Sequence, residues 1–585
     1  MCGIAGAVGG TGASRLDAVR AMMQRMVHRG PDSTGVAEVG EAALGMCQLR
    51  IREAAPRRVP LAMRRTHDAR IAYNGEVYAG SWLAGPARRV PGTVDEEVEA
   101  IAAQDTGQPP PDGMFAMATA APAGRAITAW RDSFGIKPLY LRTVGGATYV
   151  ASEVQALAGL GQRPPVRRAA IAELLLYGRC LGHDTFHDGI HSAAPGTRLE
   201  IGAGGVASSA RQPAYWRAAP AAGDELRAAI REALEATLIS ERRVGLALSG
   251  GLDSTILAAE LSLLGARDLH TFSVRVEGAD DGCADLASLE LPGEAWKSWT
   301  HHVIPFGPDM LPAGLARATA LAAEPTRMTS FPLYLALAEA AHAAGVVVVL
   351  CGEGADELFG GYGSYRRWTG IRGPIGIDDL ARYACPPDKE AALRPILGDA
   401  AIDEARCRFD AQFEDCATRA PFDGLRRLEQ YLRLEPLLHR TDLALMALSI
   451  EGRVPYLHGR VPELAYGLEL TDCLSAEQTK LALRRAYASV LPMARAEAPK
   501  TNFRAPVTDW FAGRLAPWLR TEMQMYEDSL VEHGLRRDGV RAVVHRTLGG
   551  DRHAAAIAFG LVSLGMFLDR DHGRGTTEDP DHEPR

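Results

Sequence analysis

Residues 246–255 read LALSGGLDST, and this run decides the fold of the larger part of the chain. An apolar strand-like stretch passes through a Ser-Gly-Gly turn directly into the opening of a helix. Glycines at such a turn let backbone N–H groups converge on an anion, and the helix N-terminus adds partial positive charge. Asp253 stands where it can hold a divalent cation against phosphates. No lysine follows the glycines, so the run is not a GxxxxGK[ST] loop. Upstream, ELRAAIREALEATLISE (225–241) has helical periodicity; downstream, HTFSVRV (270–276), FPLYLALAEAAHAAG (331–345) and VVVVLCG (346–352) alternate strand with helix. That alternation predicts a parallel α/β sheet with its inner strands buried on both faces. The last of these strands runs into a second loop, GEGADELFGGY (352–362). Ligands of open parallel sheets bind beyond the carboxyl ends of the strands. Glu353, Asp356 and Glu357 are costly to cluster there unless cations or ligand groups balance them.

The bulk numbers bound the rest. At 585 residues the chain is too long for a single core. Its 47% hydrophobic and 23% charged content is that of an ordinary globular protein, and a net charge of −8 argues against a nucleic-acid partner. Nine cysteines without a CxxC pair point to a reducing cytoplasm rather than a disulfide framework. The apolar run from Ala554 to Leu568 falls short of a bilayer span of about 20 residues, so we expect a buried helix and no membrane association. Short β-like runs separated by Gly and Pro fill the first 215 or so residues and predict a layered antiparallel domain. Residues 218–224 (AAPAAGD) read as a linker. The expected division is a first domain over 1–217, a second over 218–568 and a disordered polar tail over 569–585.

The chain opens MCGIAGAVGG (1–10). Removal of Met1 would leave Cys2 with a free α-amine, whose pKa of roughly 7.7–8.0 suits a general base for the thiol on the same residue. A thiolate so formed could attack a carboxamide and release ammonia through a thioester. The developing oxyanion needs donors. YNGEVY (73–78) offers the Asn74 amide and the bare backbone of Gly75, although Asn-Gly by itself reads as a hairpin turn.

MCGIAG, HRGPDS (28–33), YNGEVY, DGMFAMA (112–118), RDSFGIKPLY (131–140) and ASE (151–153) occur in an order that resembles the glutaminase domain of asparagine synthetases, which are class II amidotransferases. The second half resembles their ATP-pyrophosphatase synthetase domain, through SGGLDS, GEGADE, RTDLALMALSIEGRVPYL (440–457), KLALRRA (480–486) and PKTNFRAP (499–506). The resemblance implies an αββα N-terminal-nucleophile fold followed by a parallel-sheet synthetase domain with additional helices. It implies Cys2 as nucleophile, Asn74 and Gly75 as oxyanion donors, and Glu76 and Asp95 as holders of glutamine. It further implies that Leu248, Ser249, Gly250, Gly251, Asp253, Ser254, Ser273 and Gly352 bind ATP, with the serines and glycines of the loop on pyrophosphate. Asp253 and Asp356 would hold Mg²⁺, and Glu353 and Lys480 would stand beside an acyl-adenylate. A cytoplasmic enzyme and a possible homodimer come with the family. The reaction so implied is amidation of a carboxylic acid, aspartate by default, with glutamine as nitrogen donor and AMP and pyrophosphate as products.

Three departures qualify that expectation. The family arginine that holds the glutamine carboxylate is replaced by Gln48 in LGMCQLRI, and Arg50, two residues on, is the candidate substitute if the strand continues. AAEPTRMTSFPLY (322–334) keeps Glu324 and Pro325 without the family's neighbouring aspartates, and His458 stands where an aspartate is usual. A less common acceptor acid is therefore the alternative to aspartate. Two other readings are a β-lactam-synthetase-like ligase, which the retained Cys2 disfavours, and a nucleotide-binding regulator, which the intact SGGLDS and GEGADE runs disfavour.

Overall fold

The structure is a computed structural model. It describes residues 2–52, 59, 61–62, 69–79, 93–102, 110–121, 125–211, 223–279, 286–368, 371, 375–417, 421–493 and 503–571. Residues 218–222 of the predicted linker lie outside these residues, and its last two, Gly223 and Asp224, already belong to the helix Gly223–Thr237.

Among the described residues, two six-stranded sheets build the amino-terminal half. One has β1 (Cys2–Gly9) near its middle, flanked by β3 (Ala42–Gln48) and β9 (Ala147–Ala151), with β2 (Ser33–Val39), β8 (Tyr140–Val144) and β10 (Ile190–Ser192) further out. The other runs β12 (Gly205–Arg211), β11 (Thr197–Gly202), β7 (Ile127–Arg131), β6 (Asp112–Ala120), β5 (Arg70–Ala79) and β4 (Leu61–Ala62). Successive side chains of β1 face opposite ways. Cys2, Ile4 and Val8 enter the core between the sheets with Ile71, Phe115 and Ile127. Ala5 and Ala7 instead meet Val19, Met22 and Met23 of the helix Gly12–Arg25. The helix Val94–Ala102 packs on β5, so helices cover both outer faces and the αββα expectation holds.

The carboxyl-terminal half is built on a parallel sheet ordered β15 (Thr300–Phe306), β14 (His270–Val276), β13 (Val244–Ala247), β16 (Val348–Leu350), β17 (Glu451–Arg453). The chain fills the sheet outward from β13 to β15, then returns beside β13 with β16. The strand order therefore reverses between β13 and β16, and the crevice beyond their carboxyl ends is the ligand position for an open sheet. SGGLDS follows β13 and GEGADE follows β16, so both loops meet at that point.

Helices make up most of the remainder. The last, Arg552–Asp571, contains the predicted apolar run and packs on Ala516–Glu532 and Arg537–Leu548. It is long and apolar enough to cross a membrane, yet most of it is buried inside the protein. It also carries helical structure through Asp569–Asp571, the first residues of the segment expected to be disordered; the rest of that segment lies outside the described residues.

Candidate active site

Cys2 begins β1 and is buried. Its backbone N–H donates to the side-chain oxygen of Asn74 at 3.0 Å. That bond fixes the Asn74 amide with its nitrogen pointing away, and this buried Nδ2 has no hydrogen-bond partner among the described residues. A buried amide N–H left unmatched costs about 1–3 kcal/mol, and a developing oxyanion beside the Cys2 thiol would satisfy it. Asn74 and Gly75 lie inside β5, so the hairpin-turn alternative for Asn-Gly is wrong. Gly75 has φ 151°, and a Cβ there would stand 2.1 Å from the Met114 carbonyl oxygen. Only glycine fits. Burial pushes the Cys2 thiol above its ordinary range, while the positive amino terminus and the Leu49 N–H pull it back.

Glu76 shares a β5 face with Asn74. Its carboxylate is 3.3 Å from Arg52 and 3.6 Å from Arg453 of β17, a strand of the other half. Arg52 also binds Glu97, which in turn accepts from the Tyr73 hydroxyl at 2.7 Å. Asp95 lies in the first turn of the helix Val94–Ala102 and is half-buried. Gln48 is buried, and its amide oxygen accepts from Ser33 at 3.0 Å. Arg50 does not continue the Gln48 face, because β3 ends at Gln48 and the two-residue repeat of a strand ends with it. Its guanidinium lies 3.9 Å from Asp32, which Arg242 also approaches at 3.7 Å.

The second constellation lines a cavity of about 330 Å³ at the β13/β16 switch point. Leu248, Ser249, Gly251, Asp253, Ser254, Ser273, Gly352, Glu353, Asp356 and Lys480 all contribute. Gly250, at φ 72°, turns the chain from the strand into the helix Leu252–Leu263. The Ser249 and Ser254 hydroxyls lie 3.1 Å apart, and Ser254 also receives the Ser249 N–H at 3.2 Å. Lys480, buried and with φ 58°, extends its ammonium between Asp253 at 2.5 Å and Asp356 at 2.7 Å. Burial opposes that charge, but the two aspartates outweigh it and raise the lysine above its ordinary range. The carboxylate pair thus already binds a cation, which is the chemistry a magnesium ion would meet.

Glu353 faces the same cavity. One oxygen accepts from Tyr334, from Arg440 at 2.6 Å and from Thr441 at 3.2 Å. The other is buried with no hydrogen-bond partner among the described residues. Arg440 lies over the Tyr334 ring at 3.8 Å and donates to Ser330 at 2.8 Å. Phe503 and Arg504 of PKTNFRAP reach the cavity; residues 499–502 lie outside the described residues.

Two residues in the segments that depart from the family pattern have partners of their own. His458 is buried, 3.1 Å from Asp112 of β6, and stacks edge-on against Tyr78. It joins the two halves and does not line the nucleotide cavity. Glu324 accepts from the Phe186 N–H at 2.7 Å in a separate cavity of about 120 Å³. Arg440 is common to both cavities.

Reasoning from sequence left several residues unassigned. Arg29, Tyr334, Arg440 and Arg453 all sat inside quoted motifs, but each also has a partner from a remote segment. Arg29 is fully buried and binds Glu153 and Asp442, each at 2.8 Å.

A buried amino-end thiol beside an unmatched amide donor, joined to a switch-point cavity lined by acids and a lysine, defines a two-domain amidotransferase with an ATP-dependent ligase half. The asparagine synthase family matches residues 225–568, and a glutamine amidotransferase domain matches residues 1–216. The chain belongs to the asparagine synthase family. It is 29% identical to a putative glutamine-hydrolysing asparagine synthetase of Mycobacterium tuberculosis, over 88% of this chain and 90% of that protein. Identity to asparagine synthetase 1 of Bacillus subtilis is 25%, covering 90% of each chain. A third relative, amidase chyE of Penicillium rubens, is 26% identical over 58% of this chain and 54% of its own length. A solved structure titled as the allosteric regulatory enzyme of purine biosynthesis shares 13% identity at a TM-score of 0.26, covering 52% of this chain and 80% of that one.

Proposed function

We propose that Cys2, once exposed as the first residue, liberates ammonia from glutamine, and that this ammonia amidates an acid activated in the second half. The Cys2 sulfur attacks the carboxamide carbon, and Asn74 Nδ2 with the Gly75 N–H takes the oxyanion. The C–N bond breaks, the nitrogen leaves as ammonia after receiving the proton held by the Cys2 α-amine, and water cleaves the thioester to glutamate. In the switch-point cavity an acid carboxylate displaces pyrophosphate from ATP. Ammonia then displaces AMP from the acyl-adenylate and gives the amide, and the proton it sheds goes to a nearby base.

Asp253 and Asp356 fit a magnesium ion, which would neutralise the departing pyrophosphate. Lys480 then supplies its charge to the phosphates. The unmatched oxygen of Glu353 is the base available for the proton shed by ammonia. Asp95 and Glu76 remain candidates for the glutamine ammonium. Placement of the enzyme in the cytoplasm and assembly as a homodimer follow the family.

The unmatched Asn74 amide beside Cys2 carries this reading, because an ammonia-independent ligase would have no use for it. Aspartate is the acceptor the family implies by default, and a less common carboxylic acid is the alternative. A pyrophosphate-release screen over carboxylic acids, with glutamine present, tests the reading. Cys2→Ala should abolish glutamine-driven amide formation and leave the ammonia-driven reaction. If no acid releases pyrophosphate, the proposed function is wrong.

A further inference from the structure

Glu353 lies in the loop after β16, and side chains from two helices converge on it. Its carboxylate is 8% exposed. Arg440 and Thr441, on one turn of the helix Glu435–Met446, donate to a single oxygen, Oε1, at 2.6 and 3.2 Å. The Tyr334 hydroxyl, from the first turn of the helix Phe331–Ala343, donates to that same oxygen. Oε2 is buried and has no hydrogen-bond partner among the described residues. The Tyr334 ring is itself buried and held: Arg440 lies over it at 3.8 Å, and Phe503 meets it at a right angle with 5.6 Å between ring centres. Three donors on one oxygen and none on the other give the carboxylate a single aim.

We propose that Tyr334 is a positioning residue for amide formation: its hydroxyl locks Oε1 so that Oε2 meets the nitrogen attacking the acyl-adenylate. This rests on the reading of Glu353 as the base. In that step the new C–N bond forms, the C–O bond to AMP breaks, and one proton passes from nitrogen to Oε2. Arg440 and Thr441 share a helix turn and move together, whereas Tyr334 ties the loop to a second helix. Without its hydroxyl the carboxylate keeps its charge and two donors but is free to turn, and misplacement of a reacting group slows the step it serves. Pyrophosphate release relies instead on the SGGLDS loop, Asp253, Asp356 and Lys480. Among the described residues the Tyr334 hydroxyl bonds to Glu353 and to none of these.

The test compares two steps in the full-length enzyme, using the acid that releases pyrophosphate fastest in the screen above. One is acid-dependent ATP–pyrophosphate exchange; the other is amide formation from saturating ammonium chloride. Tyr334→Phe keeps the ring beneath Arg440 and removes only the hydroxyl. It should lower kcat for amide formation about tenfold, the scale of one hydrogen bond to a charged group, and leave exchange within about threefold of wild type. In a Glu353→Gln background the same change should cost less than about twofold, because a residue that acts through another has no separate effect once that partner is gone. Thr441→Val removes the 3.2 Å donor and should give the same pattern with a smaller loss, which keeps the test decisive if Tyr334→Phe does not fold. Parallel loss of exchange and amide formation overturns the proposal, as does an unchanged amide-forming rate or a loss that persists undiminished beside Glu353→Gln. Amide formation at the wild-type rate in Glu353→Gln itself overturns the base assignment instead.

Discussion

Arg29 and Asp442 are 413 residues apart in sequence and 2.8 Å apart in the fold. The Arg29 guanidinium also donates to the Cys2 carbonyl at 3.3 Å, and Asp442 directly follows Arg440 and Thr441, both of which bind Glu353. One arginine and one helix turn thus connect the Cys2 backbone to the proposed adenylate base. Removing one partner of a buried pair costs about 3–5 kcal/mol, because the other charge is left stranded. Asp442→Ala should lower the melting temperature and raise the number of glutamines hydrolysed per amide formed above one. Thermal unfolding combined with paired glutamate and amide assays checks both effects; unchanged stoichiometry would show that the link is structural only.

Gly75 offers a sharper separation of the two half-reactions. A methyl at this position collides with the Met114 carbonyl and moves the strand that carries Asn74. Gly75→Ala should reduce glutamine-driven turnover by about 10²-fold or more, the scale of losing an oxyanion donor. Ammonia-driven amide formation should persist, since the nucleotide cavity lies in the other half. Parallel assays with glutamine and with ammonium chloride provide the comparison.

Much of this arrangement was legible in the sequence. SGGLDS and GEGADE each follow an apolar run, and a parallel sheet brings the ends of adjacent strands together, so their meeting could be read directly. Arg52 was not legible, because the step from Gln48 to Arg50 assumed a strand that stops at Gln48. The partner of His458 was not legible either: Asp112 is 346 residues away, and no local pattern reports a contact between domains.

Lys480 should matter to adenylation and not to glutamine hydrolysis. Its ammonium, held between Asp253 and Asp356, is the charge proposed to meet the phosphates, and a methionine cannot supply it. Lys480→Met should lower acid-dependent pyrophosphate release by about 10²–10³-fold, as for other losses of transition-state charge stabilisation. Glutaminase activity should stay within a few-fold of wild type. Pyrophosphate and glutamate assays on the same preparation decide the matter.

Glu324 gives the fold a pH dependence whose sign is fixed by its surroundings. Burial raises its carboxyl to about 7, against the partial opposition of the Phe186 N–H, Arg179 and Arg167. An acid raised in the folded state binds more protons there than in the unfolded chain between its ordinary value and about 7. Stability therefore falls as pH rises through that window and levels off above it. A shift of this size corresponds to about 3 kcal/mol. Glu324→Gln keeps an oxygen for the Phe186 N–H and removes the charge. The variant should be more stable than wild type at pH 8, with the difference shrinking toward pH 5. Denaturant melts at the two pH values measure it, and an equal difference at both would place the cause elsewhere than in this carboxyl.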